Sequence, residues 1–390
     1  MPFVLACLLS AFTADDRLKA ELIFPRHHQH NHSSCVVECP NGDLLACWYR
    51  GSGERSADDV AIFGARKARG ADRWSEPFLM ADTPDLPDCN PILHIDSQRR
   101  LWLFWPTILD NHWESALLKA KRAEDYQSPG PPKWNWQSVV HLKPEGLEKK
   151  LSGAFDAVPK PLLELRPKWK QEVEAWRRRA GDKLYQRLGW MPRVHALNLP
   201  TGEILLPLYC DTFSIGLTAT TLDGESWKTG GAIIGFGGVQ PSVVRRKSGE
   251  LAAFLRNNGW GGRIPMSESV DTGASWSTPV LTDVPNPGSS VEAIALQSGD
   301  WLLVANDLPR GRHRLSAFLS QDEGRTWTRK RVLEELPEGK GAASYPSVIQ
   351  ARNGEIHVTY TFNDAQPGKS IKHLWFSETW LKAGEKGKDP

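Results

Sequence analysis

Two eight-residue stretches, Ser269-Val-Asp-Thr-Gly-Ala-Ser-Trp276 and Ser320-Gln-Asp-Glu-Gly-Arg-Thr-Trp327, share the spacing Ser-x-Asp-x-Gly-x-x-Trp and begin 51 residues apart. Each reads as a self-sufficient turn. An Asp side chain bonds the backbone amides of its own turn, Gly supplies a left-handed position, and Trp plugs the base of the hairpin. An acidic turn recurring at that period implies a modular chain assembled from like units.

Working outward, a second pattern of turn followed by apolar strand covers nearly the whole sequence. It begins at Asn41-Gly-Asp-Leu-Leu-Ala-Cys-Trp48, Ser97-Gln-Arg-Arg-Leu-Trp-Leu-Phe104 and Thr201-Gly-Glu-Ile-Leu-Leu-Pro-Leu208. It continues at Ser248-Gly-Glu-Leu-Ala-Ala-Phe-Leu255, Ser298-Gly-Asp-Trp-Leu-Leu-Val-Ala305 and Asn353-Gly-Glu-Ile-His-Val-Thr-Tyr360. Five of the six place Gly and an acid at the turn before the strand-like run. Successive starts lie 47 to 56 residues apart, apart from one gap of 104. Units of about fifty residues match four-stranded propeller blades. The expected fold is all-β, a six-bladed β-propeller occupying residues 21–385 as one domain.

The long gap predicts an insertion between the second and third blades, about residues 142–190. Within it Trp169, Val173, Trp176, Ala180, Leu184 and Leu188 recur every three or four positions, which gives a helix with one apolar face. Such a helix braces the propeller or lies as a lid over one rim.

Composition narrows the class. The charges nearly cancel, 48 basic against 46 acidic, and no basic stripe argues for nucleic acid. The 17 Trp exceed what hairpin plugs need and suit surfaces that stack on the C–H faces of sugars. The six Cys (7, 35, 39, 47, 89 and 210) lack paired metal spacing and read as small buried residues. No metal or other cofactor is expected. The apolar start Phe3–Ala14 resembles the core of a signal peptide without its basic flank, which favours a secreted or periplasmic protein. A buried first strand and a cytoplasmic location are the alternative. No other apolar run is long enough to span a membrane, and a monomer is expected.

The Ser-x-Asp-x-Gly-x-x-Trp turns are Asp-boxes, and with six units the chain resembles the sialidase superfamily over roughly residues 25–380. The resemblance implies an exo-acting glycoside hydrolase for a terminal acidic sugar, with a central site made of three Arg, a Tyr–Glu pair and an Asp acid/base. That chemistry is coherent. Sialic acid carries its carboxylate on the anomeric carbon, so a neutral Tyr nucleophile avoids the repulsion a carboxylate meets. By resemblance Tyr345, in Ala343-Ser-Tyr-Pro-Ser347, is the nucleophile or stabiliser, and Arg256 and either Arg312 or Arg314 hold the carboxylate. Asp58 or Asp59, with Glu54 behind them, occupies the acid/base loop Gly53–Val60.

Two positions depart from the family pattern. The first Arg is missing where the sequence reads Asn31-His-Ser-Ser34, and Gln240 stands where the Glu partner of Tyr belongs. A Gln amide cannot take the phenol proton. Candidate substitutes are Glu292 as a carboxylate turned inward, Glu114 and Arg193, with Gln240 and Asn90 as further substrate contacts. His32 is a candidate acid/base or hydrogen-bond donor; its neighbours His27, His28 and His30 alternate faces of a strand too quickly to make a metal site. An inverting hydrolase with Glu292 or Asp59 as base is compatible with this set. So are a polysaccharide lyase using Tyr345 with His32, and a non-catalytic glycan-binding propeller.

Overall fold

The computed structural model describes residues 17–157, 164 and 167–386. The apolar stretch Phe3–Ala14 and Cys7 lie outside the described residues. Six antiparallel sheets of four strands surround a common axis, the fifth extended by the short strand Glu385–Lys386. The innermost strands are His30–Glu38, Ile92–Ile95, Leu197–Asn198, Gly238–Arg245, Glu292–Ala295 and Ala342–Gln350. Each blade then runs outward strand by strand, so the expected six-bladed propeller is the observed fold. The outermost strand of the sixth blade, Lys19–Leu22, comes from the other end of the chain and pairs antiparallel with Ser370–Phe376. That pairing closes the ring and leaves the sixth sheet with four strands.

The blades are held together by apolar faces and by hydrogen bonds near the axis. Trp48, Trp102 and Trp301, all on second strands, are fully buried. Around the axis, inner strands reach their neighbours through side chains. The Val36 amide donates to Ser347 Oγ (3.1 Å), the Ala293 amide to Ser242 Oγ (2.9 Å), and the Leu93 amide to Cys35 Sγ (3.2 Å). Pairing inner strands through small polar side chains leaves their own edges satisfied.

The outer turns behave as their sequence predicts. Asp271 Oδ1 accepts from Ser269 Oγ (2.8 Å) and the Ser275 amide (2.8 Å), and Asp322 Oδ1 accepts from Ser320 Oγ (2.7 Å) and the Thr326 amide (2.8 Å). Gly324 has a φ of 82°, and a Cβ there would lie 2.8 Å from both Trp301 and Phe254, so the turn docks only without a side chain. A third turn of this kind stands at Thr221-Leu-Asp-Gly-Glu-Ser-Trp227. It is one residue shorter between Asp and Gly, yet Asp223 Oδ1 still accepts from the Glu225 (2.8 Å) and Ser226 (2.9 Å) amides. The strict eight-residue spacing misses it.

The insertion between the second and third blades contains the helices Leu147–Asp156, Pro167–Ala180 and Lys183–Arg187. Leu147, Leu151, Phe155, Val173 and Ala180 are buried in the core cluster shared with the first three blades. Apolar burial on one face makes it a brace. All five described cysteines are buried and free, as small core residues are.

Candidate active site on the propeller axis

The inner strands of three blades share a defect. Pairing with the second strand shifts register between His32 and Cys35, between Val239 and Ser242, and between Ser344 and Ser347. At these bulges Ser33, Gln240 and Tyr345 take φ of 59°, 54° and 61°, and Asn90, just before the second blade's inner strand, takes 41°. Non-glycine residues resist this conformation, and such strain gathers where side chains must be aimed. Three of the four precede a proline or its equivalent turn: Asn90-Pro91, Gln240-Pro241 and Tyr345-Pro346. The bulge turns the residue before the proline toward the axis, while the Ser after the proline in two of them bonds the next blade.

The result is a cavity of about 250 Å³ to which every blade contributes. The first blade supplies His32, Tyr49 and Glu54, the second Asn90 and Trp113, and the third Tyr209 and Asp211. Gln240, Arg256 and Asn258 come from the fourth, Arg312 from the fifth and Tyr345 from the sixth.

Tyr345 is the centre of the arrangement. Its hydroxyl oxygen accepts from Arg256 Nη1 at 2.6 Å. The Arg312 guanidinium lies 5.4 Å from its ring centre and the His32 ring 4.1 Å away. Burial holds His32 well below the usual imidazole range, so its ring is neutral. Thr361 Oγ1, which already accepts from the Ser33 amide (3.1 Å), lies 2.7 Å from His32 Nδ1. This contact anchors the His32 ring against the sixth blade.

The two carboxyl groups of the cavity are driven apart. Glu54 is pulled down to about 2 by its hydrogen bond with His30, aided by the Tyr49 hydroxyl (3.0 Å). Lys369 Nζ donates to His30 Nδ1 (2.8 Å), so His30 Nε2 is the donor to Glu54 (3.2 Å). Asp211 moves the other way: burial raises it, and Arg256 only partly offsets that. Two carboxyls whose surroundings separate their titrations are the usual sign of an acid and a base. The cavity also keeps polar atoms without protein partners. Gln240 Oε1 and Arg256 Nε are buried and unbonded, a condition native interiors rarely tolerate without a ligand or water.

Of the residues expected from sequence, Tyr345, Arg256, Arg312, His32, Gln240 and Asn90 meet in this cavity. Others do not. Asp59 is exposed, and its carboxylate accepts from the Ser52 amide (2.9 Å) and hydroxyl (2.8 Å), closing its own loop. Asp58 is also exposed and accepts from Asn111 Nδ2 (3.3 Å). It is Glu54, earlier on the same loop, that points inward, because Tyr49 and His30 hold it there. Arg314 is taken by Asp307 (2.9 Å), and of the two alternatives Arg312 is the one that lines the cavity. Glu114 faces Arg179 of the insertion (3.9 Å), and its neighbour Trp113 lines the cavity instead.

Glu292 and Arg193 lie beneath the cavity, both fully buried. Glu292 Oε1 accepts from the His195 amide (3.0 Å) and stands 2.7 Å from its Nδ1, while Oε2 accepts from the Val348 amide (2.7 Å). A carboxylate bonded in this way ties the third, fifth and sixth blades together, and it does not line the cavity. Arg193 donates to Pro346 O (3.1 Å) and Ser34 O (3.4 Å) and lies 4.8 Å from the Tyr345 ring. It supports the tyrosine from below and does not replace the missing carboxylate clamp. Asn31, at the position of that missing Arg, is also structural: its Oδ1 accepts from Trp48 Nε1 (3.0 Å) and Arg50 Nε (2.7 Å).

Sequence reasoning missed Asp211, Tyr209, Tyr49, Trp113 and Asn258 as wall residues. Asp211 follows the second strand Ile204–Cys210 directly, and Arg256 is the penultimate residue of the second strand Leu251–Asn257 of the next blade. The end of each second strand was the signal available. Among the described residues no group of three or more His, Cys, Asp and Glu is placed to hold a metal ion.

Comparison with known proteins agrees with this architecture. A family model described as a BNR repeat-like domain matches residues 176–358. No curated protein sequence matches the chain. Among solved structures, a protein of unknown function from Dyadobacter fermentans superposes with a TM-score of 0.68 at 15% identity, covering 92% of this chain and 98% of its own. The NanB sialidase of Streptococcus pneumoniae gives 0.69 at 11% identity, covering 93% and 71%. An α-L-arabinanase of Penicillium chrysogenum gives 0.57 at 13%, covering 94% and 96%. The fold is thus shared with glycoside hydrolases of more than one specificity, at identities where only the fold transfers. With its repeated acidic turns and its six blades closed around a polar axis, the chain has the propeller fold of the sialidases and is similar to BNR repeat-like domains over residues 176–358.

Proposed function

We propose that the protein is a glycoside hydrolase that removes a terminal acidic sugar from a glycan. The observation that carries this reading is the pairing, in one cavity, of two guanidinium groups around Tyr345 with a carboxyl whose burial favours its protonated form. Arg256 and Arg312 bind the sugar's carboxylate with charge-assisted hydrogen bonds. Asp211, raised by burial, gives its proton to the glycosidic oxygen as that bond breaks. Tyr345 offers its hydroxyl oxygen to the oxocarbenium-like centre that forms. Glu54, ionised throughout the working range, takes the proton of the incoming water. Gln240 Oε1, without a protein donor, accepts from a sugar hydroxyl.

Digestion of a glycan library containing sialylated and uronate-capped chains, read by mass spectrometry, tests this. Loss of one terminal acidic residue by the native protein, and its absence with Asp211→Asn, is the expected result. Unchanged masses across every acid-capped glycan would refute it. The neutral His32 imidazole packed on Tyr345 favours one second reading, β-elimination at a uronate. That route leaves an unsaturated product with a characteristic ultraviolet absorbance, and hydrolysis does not.

A further inference from the structure

Among the described residues, Trp260 is the one aromatic among the large hydrophobic side chains left in solvent, 56% exposed. It is not isolated. Its ring packs against Phe236 with centres 4.6 Å apart and planes inclined at 55°. Trp260 follows the second strand of the fourth blade, and Phe236 precedes that blade's inner strand, so both stand at the cavity end of the propeller. Asn258 lines the cavity, and Trp260 is two residues further on, about 7 Å of extended chain.

The pair is built on rigid backbone. Asn258 N donates to Gly237 O (3.1 Å), and a Cβ at Gly259 would lie 2.4 Å from Phe236 O, so the two loops touch main chain to main chain. Asn257 fixes the turn from inside: its Oδ1 accepts from the Gly259 amide (3.0 Å), and its Nδ2 donates to Trp260 O (2.9 Å) and Arg263 O (2.8 Å). Phe236 itself sits at φ 51°, a conformation a bulky side chain adopts only where its surroundings enforce it. An aromatic surface held in water two residues along the chain from the wall of a polar cavity marks a binding surface.

We infer that Trp260 and Phe236 form the platform for the second ring of the substrate, a neutral pyranose stacked through its C–H face. This rests on the hydrolase reading and extends it. The cavity, about 250 Å³ and lined by charged groups, accommodates one sugar. The ring attached to it leaves toward the rim, where the indole supplies apolar area and no charge. The substrate is therefore an oligosaccharide whose penultimate residue is a neutral pyranose, and the platform sets the preference for the leaving group.

The test compares 3′-sialyllactose with methyl α-sialoside, and adds lactose as a neutral probe of the platform alone. Trp260→Ala, an exposed substitution, is expected to lower kcat/KM about tenfold on the trisaccharide and to leave the methyl glycoside unchanged. Equal values for the native and variant proteins on both substrates would overturn the inference. In protein labelled on its indole nitrogens, with Trp260 assigned by Trp260→Phe, lactose is expected to move the Trp260 resonance, and to do so equally in Arg256→Met. A Trp260 resonance unmoved by lactose overturns the platform. A moved resonance in a protein that cleaves neither sialoside keeps the platform and refutes the acidic-sugar reading.

Discussion

The outer turns and the axial cavity solve opposite problems with the same residue types. At the turns the Asp carboxylates are consumed locally. Asp271 and Asp322 each accept from a hydroxyl and an amide within their own eight residues, and both titrate below the ordinary carboxylate value, chiefly through the Ser275 hydroxyl for Asp271 and, against burial, the Thr326 bonds for Asp322. In the cavity, Gln240 Oε1 and Arg256 Nε go without partners, and Asp211 is raised by burial. Saturation makes a turn that folds by itself. Unsaturation, held in place by strained backbone at Gln240 and Tyr345, makes a surface that waits for something else to bond. An Asp in this chain is therefore structural or chemical according to where its hydrogen bonds go.

That contrast can be broken from the cavity side first. Asp211→Asn should cut kcat on an acid-capped glycan by about 10²–10⁴, the range of a lost general acid, with little change in stability. In the native protein, activity falls on the alkaline side as pH rises through the raised Asp211 value, because the proton donor is then lost. On the acid side it survives until pH approaches about 2, where Glu54 protonates, provided the fold persists. A pH profile of kcat/KM for the native protein shows whether the alkaline limb exists.

Arg312→Met should cost less. Losing one charge-assisted contact to the substrate carboxylate is worth about 1.5–3 kcal/mol, roughly ten- to a hundredfold in kcat/KM. Steady-state kinetics on acidic and esterified substrates would show the loss confined to the charged one. From the turn side the effect moves to stability. Asp271→Ala removes an acceptor from an exposed turn and should lower unfolding free energy by about 1 kcal/mol, read by denaturant titration, with activity per folded molecule unchanged.

The fold as a whole should weaken in acid. Burial holds His94 at about 4 and His357 at about 3, below the ordinary 6.5. As pH falls from 6.5 toward those values, only the unfolded chain takes up their protons, so stability declines across that window. Thermal melts between pH 7 and pH 4 would show it.

The same contrast explains what the sequence made legible. The Asp-boxes and the Gly–acid turns are local, so their residues stand next to one another in the chain, and the six blades follow from counting them. Tyr345, Arg256 and Arg312 could be read through family resemblance, since each keeps its place relative to a strand. Asp58 and Asp59 misled because charge and loop position are visible in sequence while hydrogen-bond commitment is not. Ser52 claims Asp59, whereas His30 and Tyr49 turn Glu54 inward from positions 24 and 5 residues away. Glu292 misled for the same reason: its partners, His195 and Val348, lie 97 and 56 residues off. Asp211 was invisible because its significance is burial, which only the assembled ring creates.

The central claim is that Asp211, and neither Asp58 nor Asp59 of the first-blade loop, supplies the catalytic proton. The direct measurement is release of the terminal acidic sugar by the native protein, Asp59→Asn and Asp211→Asn side by side on one substrate. The account predicts native rates for Asp59→Asn and a loss of at least about a hundredfold for Asp211→Asn. Full turnover by Asp211→Asn, or collapse of activity in a folded Asp59→Asn, would contradict it.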